Sequence, residues 1–270
     1  MDAIRTFESN HESMNALFAA DDSQSAEFVA ASEILAGWAS PERTQTLDLN
    51  TESLEDGRER LFSMWQGTLG WVSYVGHSGI DRVATEGLLT LDDIPALSEA
   101  QSAPVVLGWT CNLTRFDIPG YASLGEELVT SGHSAGVFSA TGWSNHVDTD
   151  LFRSAFTEAA FASDAETIGE AMIRAHEAAR GAPVQLHRVY TLLGDPALRL
   201  RAPKAQPDPD PDPMPDPEPP SEPVGGPGLG NQQVGSGSGC EIASPGVGGG
   251  PAGLGLLVVG LALAIRRRRP

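Results

Sequence analysis

The chain has 270 residues and a formal net charge of −19, so it is strongly acidic. Residues 1–202 have the composition of one folded domain, and the chain's five Trp and nine Phe supply bulk for its core. Basic patches interleaved with aromatic residues do not occur in the sequence, which argues against a nucleic-acid-binding protein.

β-Strands are predicted wherever a short apolar run is bounded by turn residues. In chain order these are residues 15–22, 44–49, 70–76, 104–110, 135–141 and 186–193. Helices are predicted where apolar residues recur at helical spacing behind a capping side chain. Two helices are expected after the N-caps Ser23 and Thr51. Four more are expected at residues 91–97, 123–131, 150–161 and 167–180. Strands that alternate with helices predict an α/β fold, a mainly parallel sheet with helices on both faces.

The first two of these helices carry apolar residues at helical spacing. After Ser23 the spacing is carried by Phe28, Ala31, Ile34, Leu35 and Trp38. After Thr51 the helix is expected to reach about Trp65 and to direct inward the side chains of Leu54, Leu61, Phe62 and Trp65.

Reactive side chains stand where three of the predicted strands end. Asp21 and Asp22 end the first strand, His77 follows the third, and Cys111 follows the fourth. In open sheets of parallel strands, ligand and catalytic sites form at the carboxyl ends of the strands. We therefore expect these side chains to gather at one edge of the sheet.

A thiol and an imidazole at neighbouring strand ends suit nucleophilic catalysis. A cysteine attacks a carbonyl as the thiolate, and it needs a base that takes its proton and later protonates the leaving group. His77 lies in a turn between Gly76 and Gly79, where the backbone can approach a ligand closely. The backbone N–H groups of Ser78 and Cys111 are then candidate oxyanion donors.

Residue types and spacing also allow a plainer interpretation of the same two residues. A cysteine after a buried strand is commonly a packing residue, and a lone histidine is commonly a hydrogen-bonded surface or core residue. Their joint position at neighbouring strand ends favours catalysis, and the spacing by itself leaves both interpretations open.

Five segments, in order and at similar spacing, resemble the gingipain family, peptidase family C25. They are WVSYVGHSG at residues 71–79, VVLGWTCNLTRFDIPGYASLGEELV at 105–129, AGVFSATGWS at 135–144, TIGEAMIRAHEAA at 167–179 and VYTLLGDPALRLR at 189–201. The resemblance extends over about residues 15–201 and implies a caspase-like fold. It also implies a cysteine endopeptidase with a Cys111 and His77 dyad that acts on protein or peptide substrates. No cofactor or metal ion is expected.

The resemblance implies further site residues and one departure from the family pattern. An acid at the end of the first strand, Asp22 or Asp21, is expected to orient the histidine, where the family often has glutamate. Ser78 stands where the family usually has glycine, but its backbone N–H remains available for an oxyanion. The substrate pocket is expected at residues 141–146, with Trp143 and His146 as candidate walls or simply as exposed loop residues.

The composition changes after the folded part of the chain. Residues 203–245 form a predicted linker, first Pro/Asp-rich with PDPDPDPMPDPEPP at 207–220 and then rich in Gly and Ser. Residues 246–270 form an apolar segment that ends in four arginines. This tail resembles a myxobacterial C-terminal sorting signal, in which Cys240 would be processed by a sorting protease and lipidated. A single transmembrane anchor is the alternative.

The tail predicts an exported protein that is tethered to the membrane at the cell surface. The first residues, MDAIRTFESNHESM, lack the basic start and apolar core of a signal peptide. We therefore expect that the sequence lacks the protein's true N-terminal part. The alternative to a peptidase is a non-catalytic adhesive or structural surface module on the same fold.

Overall fold

The computed structural model of the chain describes residues 2–10, 13–22 and 27–201. The predicted linker at 203–245, the predicted C-terminal segment at 246–270, Cys240 and the expected cap Ser23 lie outside the described residues. Within the described ranges, no helix combines the length and the apolar character needed to cross a membrane.

The described strands form one large sheet and one small hairpin. In chain order they are β1 Asn15–Ala20, β2 Thr44–Asp48, β3 Leu69–Val75, β4 Arg82–Val83, β5 Leu89–Thr90, β6 Val105–Trp109, β7 Gly136–Ala140 and β8 Tyr190–Gly194. The large sheet has the strand order β2-β1-β3-β6-β7-β8. Its first five strands are parallel, and β8 pairs antiparallel with β7. The prediction of a mainly parallel sheet is confirmed.

Helices cover both faces of this sheet. They are α1 Asp2–Asn10, α2 Glu27–Ala36, α3 Leu54–Gln66, α4 Leu124–Thr130, α5 Asp150–Phe161, α6 Ile168–Ala178 and α7 Val184–Val189, with 3-10 helices at Pro41–Arg43 and Leu91–Leu97. Successive strand residues face opposite cores, as a pleated strand requires. Phe18 packs in the core on the α2 and α5 side, whereas Leu17 packs in the core on the α3 and α4 side.

The last predicted strand is wrong over its first half. Residues 186–189 belong to α7, and the strand begins only at Tyr190. A short apolar run fits either a helix or a strand, and here the helix starts directly after Pro183. Leu186 and Val189, three residues apart, are both buried and form the inner face of that helical turn.

The predicted apolar faces of α2 and α3 also needed correction. In α2, Phe28, Ala31 and Leu35 are buried, but Ile34 is 62% exposed. α2 ends at Ala36, so Trp38 lies beyond it and is partly exposed. In α3, Leu61 and Trp65 are buried as expected, whereas Leu54 and Phe62 are only half-buried.

Thr51 is not the N-cap of α3. Ser53 occupies that position, and its Oγ accepts a hydrogen bond from the backbone N–H of Asp56 at 3.1 Å. Thr51 lies in the preceding turn, where its hydroxyl donates to the carbonyl oxygen of Asp48 at 3.2 Å. Both residue types are good caps, so the sequence could not separate them.

If Ser53 caps α3, Ser53→Ala should lower the free energy of unfolding more than Thr51→Ala does. Ser53→Ala removes the acceptor for an otherwise orphaned helical N–H and should lower the free energy of unfolding by about 1 kcal/mol. Thr51→Ala removes only a contact in a turn and should cost less than about 0.5 kcal/mol. Urea denaturation of both variants measures the difference. An equal or larger cost for Thr51→Ala would contradict the assignment.

Candidate active site

The two reactive side chains leave the same edge of the sheet from neighbouring strands. β3 and β6 are adjacent and parallel, with Val75 paired to Trp109 at their carboxyl ends. The backbone N–H of Gly76 still donates to the carbonyl oxygen of Trp109, at 3.5 Å. His77 and Cys111 each follow two residues after that last pair. The structure therefore brings the turns that carry them side by side.

A serine joins these two turns directly. The Ser78 hydroxyl donates to the backbone carbonyl oxygen of Cys111. It also accepts a hydrogen bond from the Thr110 hydroxyl at 2.9 Å. The residue after the histidine is thus bonded to the cysteine's own backbone. A glycine at this position has no side chain and could not make these contacts.

Cys111 has a free, half-buried thiol. Its sulfur lies 3.4 Å from the backbone nitrogen of Ser144, which donates to it, and 3.5 Å from the carbonyl oxygen of the same residue. The next residue, Asn112, has a positive φ of 54°, a conformation that asparagine tolerates better than most residues. The Asn112 N–H donates to the carbonyl oxygen of Gly142 at 3.0 Å. The cysteine turn is therefore tied to the loop that follows β7.

The backbone of His77 is held by hydrogen bonds while its ring is exposed. Its N–H donates to the Asp21 carboxylate at 2.7 Å. Its carbonyl oxygen accepts from the Tyr74 hydroxyl at 2.7 Å and from the Ala84 N–H at 3.1 Å. The exposed imidazole makes an edge contact with the Phe28 ring, with centroids 5.1 Å apart. The main chain is fixed and the ring remains accessible.

Of the two acids that follow β1, Asp21 contacts backbone groups. Asp21 is buried, and its carboxylate accepts from the N–H groups of Asp22 and His77. Burial raises the pKa of Asp21, and the hydrogen bond from His77 opposes that rise. Asp22 is exposed. Among the described residues, no hydrogen bond joins either carboxylate to the His77 ring, which differs from the contact that the sequence led us to expect.

Gly76 permits the close approach of the acid to this turn. A Cβ atom at this position would lie 2.2 Å from the Cβ of Asp21 and 2.6 Å from the hydroxyl oxygen of Tyr74. Real side chains do not tolerate such distances. The hydrogen bonds that hold the His77 backbone therefore require a residue without a side chain here.

The two predicted oxyanion donors, the backbone N–H groups of Ser78 and Cys111, have no hydrogen-bond acceptor in the described part of the chain. Neither the Ser78 N–H nor the Cys111 N–H donates to an oxygen of residues 2–10, 13–22 or 27–201. Both residues are half-buried. Because these two N–H groups have no acceptor among the described residues and lie on the turns that carry His77 and Cys111, they are candidates for binding a ligand oxygen.

The two predicted pocket walls belong to different cavities. Trp143 is 80% exposed and lines a cavity of about 290 Å³, beside Ser144 and the α7 residues Leu186 and Val189. His146 lines a groove of about 610 Å³ between α2 and α5. The two side chains therefore do not enclose one pocket.

His146 is engaged in contacts within the fold. An Arg153 nitrogen lies 3.2 Å from its Nδ1, and because a guanidinium can only donate, Nδ1 is the acceptor. Burial, followed by the nearby Arg153 charge, lowers the pKa of His146. Its ring also makes an edge contact with the ring of Phe28, with centroids 4.9 Å apart.

Sequence reasoning missed several residues that shape this edge of the sheet. Phe28 was assigned only to the apolar face of a helix, yet its ring contacts both His77 and His146. Ser144 was expected only as part of the pocket loop at 141–146 and Tyr190 only as a strand residue, although Ser144 contacts the Cys111 sulfur. The described residues contain no cluster of three or more His, Cys, Asp or Glu able to hold a metal ion.

Cys111 and His77 thus lie on adjacent turns at the carboxyl edge of a parallel sheet, the edge at which ligand and catalytic sites form in such folds. The chain belongs to peptidase family C25, whose model matches residues 3–201. No curated protein matches the sequence significantly.

Several solved structures resemble this chain in fold. The Arg-specific cysteine proteinase gingipain R (RgpB) has a TM-score of 0.60 at 12% identity, over 73% of this chain and 52% of that one. The complex of Porphyromonas gingivalis RgpB pro- and mature domains has a TM-score of 0.58 at 12% identity, over 68% of this chain and 48% of that one. A structure described as a protease has a TM-score of 0.59 at 13% identity, over 73% of this chain and 52% of that one. The chain thus spans about half the length of the structures it matches, and the likeness establishes the fold.

Because Gly76 lies so close to Asp21 and Tyr74, a side chain at this position should destabilise the fold. Gly76→Ala would force a methyl group into Asp21 and Tyr74 and should lower the free energy of unfolding by about 1–3 kcal/mol. Gly181→Ala is the matched control, since a Cβ there meets no atom within 4 Å. The control should stay within about 0.5 kcal/mol of the parent in urea denaturation. A tolerated Gly76→Ala would show that the acid does not pack against this turn.

Proposed function

We propose that this chain is a cysteine endopeptidase in which Cys111 is the nucleophile and His77 is the general acid and base. The observation that carries the proposal is the Ser78 hydrogen bond to the Cys111 carbonyl oxygen, which joins two turns that leave neighbouring parallel strands. Membership of peptidase family C25 supports the same reaction class.

The proposed reaction has two halves. His77 takes the thiol proton, and the Cys111 sulfur attacks the carbonyl carbon of the scissile peptide bond. The tetrahedral intermediate collapses to a thioester as the C–N bond breaks, and His77 gives its proton to the departing amine. Water, deprotonated by the same imidazole, then attacks the thioester. The carboxylic acid leaves and the thiol is restored.

The negative oxygen of the tetrahedral intermediate needs preorganised donors. The N–H groups of Ser78 and Cys111 suit this role because they lie on the two turns that carry His77 and Cys111. Neither donates a hydrogen bond to another described residue. The Ser78 side chain holds one turn against the other, so the two donors would keep a fixed separation as charge develops.

Asp21 supports the histidine through the main chain in this proposal. Its carboxylate fixes the His77 N–H and thereby the place from which the imidazole projects. Asp22, the first choice from the sequence for the third member, is exposed and remains a less well supported candidate. Asp21 is therefore the better candidate, as a positioning residue.

The cavity beside Ser144 is the better candidate for a substrate side chain. It is lined by Trp143 and by α7, and it adjoins the residue whose backbone contacts the Cys111 sulfur. The His146 groove is lined by residues of α2 and α5, and neither His77 nor Cys111 is among its lining residues. Trp143 is thus proposed as a pocket wall and His146 as a structural contact of Arg153.

The sequence beyond residue 202 supports export and attachment at the cell surface. An acidic proline-rich run, a glycine-rich stretch with Cys240 and an apolar segment before four arginines follow one another. We infer that Cys240 is processed by a sorting protease and lipidated, and that the tail tethers the peptidase to the membrane. A retained single membrane span is the alternative for this segment.

Cysteine replacement distinguishes the peptidase from a non-catalytic surface module. Cys111→Ala should abolish cleavage of a peptide library and labelling by a thiol-reactive peptidyl probe, because the bond-forming atom is gone. Cys240→Ser is the matched control, as it removes the chain's other thiol and should leave cleavage unchanged. Mass spectrometry of the library gives the readout. Equal cleavage by Cys111→Ala and the parent would exclude the proposed chemistry.

The tail proposal has its own test. In a myxobacterial host fed an alkyne-tagged fatty acid, the parent chain should take up the label and sediment with membranes. Cys240→Ser should remain unlabelled, because the thiol that would carry the acyl group is missing. Label retained in Cys240→Ser, or a labelled peptide elsewhere in the chain, would contradict attachment at this cysteine.

A further inference from the structure

The loop that follows β7 contacts the sulfur of Cys111. The backbone N–H of Ser144 lies 3.4 Å from the sulfur, and the carbonyl oxygen of Ser144 lies 3.5 Å from it. A neutral thiol can use both contacts, whereas a thiolate has no proton and can only accept. The N–H contact is therefore the one that favours the reactive form, and it depends on where the Ser144 backbone stands.

A buried tyrosine holds the Ser144 side chain. The Tyr190 hydroxyl lies 3.1 Å from the Ser144 hydroxyl. Tyr190 is buried at the start of β8, among the rings of Trp109, Phe138 and Phe152. Burial raises the pKa of Tyr190, so its hydroxyl keeps its proton and can donate throughout the neutral range. The surrounding rings hold the Tyr190 ring in place, and its hydroxyl in turn holds the Ser144 side chain by a hydrogen bond.

Backbone hydrogen bonds anchor the beginning of the same loop. The Thr141 N–H donates to the carbonyl oxygen of Val189 at 2.8 Å, next to Tyr190. The carbonyl oxygen of Gly142 accepts from the N–H of Asn112 at 3.0 Å, next to Cys111. Ser144 follows two residues after the last of these contacts. Its hydrogen bond to Tyr190 extends the anchoring to the residue that touches the sulfur.

We propose that Ser144 and Tyr190 are positioning residues for the nucleophile: the Tyr190 hydroxyl holds Ser144 so that the Ser144 backbone N–H stays against the Cys111 sulfur. The proposal rests on Cys111 being the nucleophile. Both residues act through Cys111 and need not touch the substrate. The antiparallel last strand of the sheet then has a direct part in the site, because it supplies Tyr190.

Alkylation of Cys111 by iodoacetamide tests the proposal without a substrate. In the full chain at pH 7, peptide mapping separates modification of Cys111 from that of Cys240. Tyr190→Phe and Ser144→Ala each remove the same hydroxyl contact and should slow Cys111 alkylation about fivefold, the usual effect of one hydrogen bond. Tyr121→Phe, which removes the hydroxyl of an exposed tyrosine, is the matched control and should react at the parent rate.

Two further variants separate positioning from a general loss of structure. The double variant should be no slower than either single variant, because both substitutions break one contact. Ser144→Thr keeps a hydroxyl and should recover most of the rate. Against a cleaved peptide, Tyr190→Phe should lower kcat and leave KM nearly unchanged. If Tyr190→Phe fails to fold, Ser144→Ala in the half-buried loop provides the same alkylation test.

Parent-like alkylation in both single variants would overturn the proposal, as would effects that multiply in the double variant. Failure of the proposed peptidase function has a different signature. In that case Cys111→Ala would cleave the peptide library no less than the parent, while slowed alkylation in Tyr190→Phe and Ser144→Ala would still demonstrate control of the Cys111 sulfur.

Discussion

The parallel pairing of β3 with β6 is the constraint on which the rest of the site depends. Hydrogen-bonded strands lie about 4.8 Å apart, so residues that follow a matched pair start from neighbouring backbone positions. The Val75 and Trp109 pair supplies that starting point for His77 and Cys111. Every other contact at the site adjusts the orientation of turns that the sheet has already brought together.

The contacts that make this adjustment are directed mainly at the backbone. Asp21 binds the His77 N–H, Ser78 binds the Cys111 carbonyl, and Gly142 accepts from Asn112. Backbone anchoring leaves the imidazole exposed and the thiol half-buried, which suits the proton transfer and substrate contact that we propose for them. In the proposed mechanism, Asp21 positions His77 through this backbone hydrogen bond and not through the ring.

The sequence alone could predict where the strands of the sheet end, because buried parallel strands are continuous apolar runs that stop at polar or glycine residues. That was enough to place His77 and Cys111 at one edge. The run at 186–193 was misassigned because it is too short for its period to distinguish α7 from β8. Whether Ser53 or Thr51 caps α3 depended on which side chain meets a free N–H, which composition does not reveal.

The remaining site features depend on contacts between residues far apart in the chain. Asp21 could be proposed as a partner of His77, but its choice of the N–H over the ring follows from the close approach at Gly76. Phe28, from α2, and Tyr190, from β8, reach the site only after the helices and the antiparallel strand have packed. No local pattern marks either residue as different from an ordinary core aromatic.

The most direct test of the account is a crystal structure of the full chain with a peptide aldehyde bound. We predict a covalent bond between the Cys111 sulfur and the aldehyde carbon, with a ring nitrogen of His77 on the same side of the cleft. The aldehyde oxygen should lie about 3 Å from the N–H groups of Ser78 and Cys111. An aldehyde bound without a bond to Cys111, or an oxygen turned away from both N–H groups, would contradict the proposed chemistry.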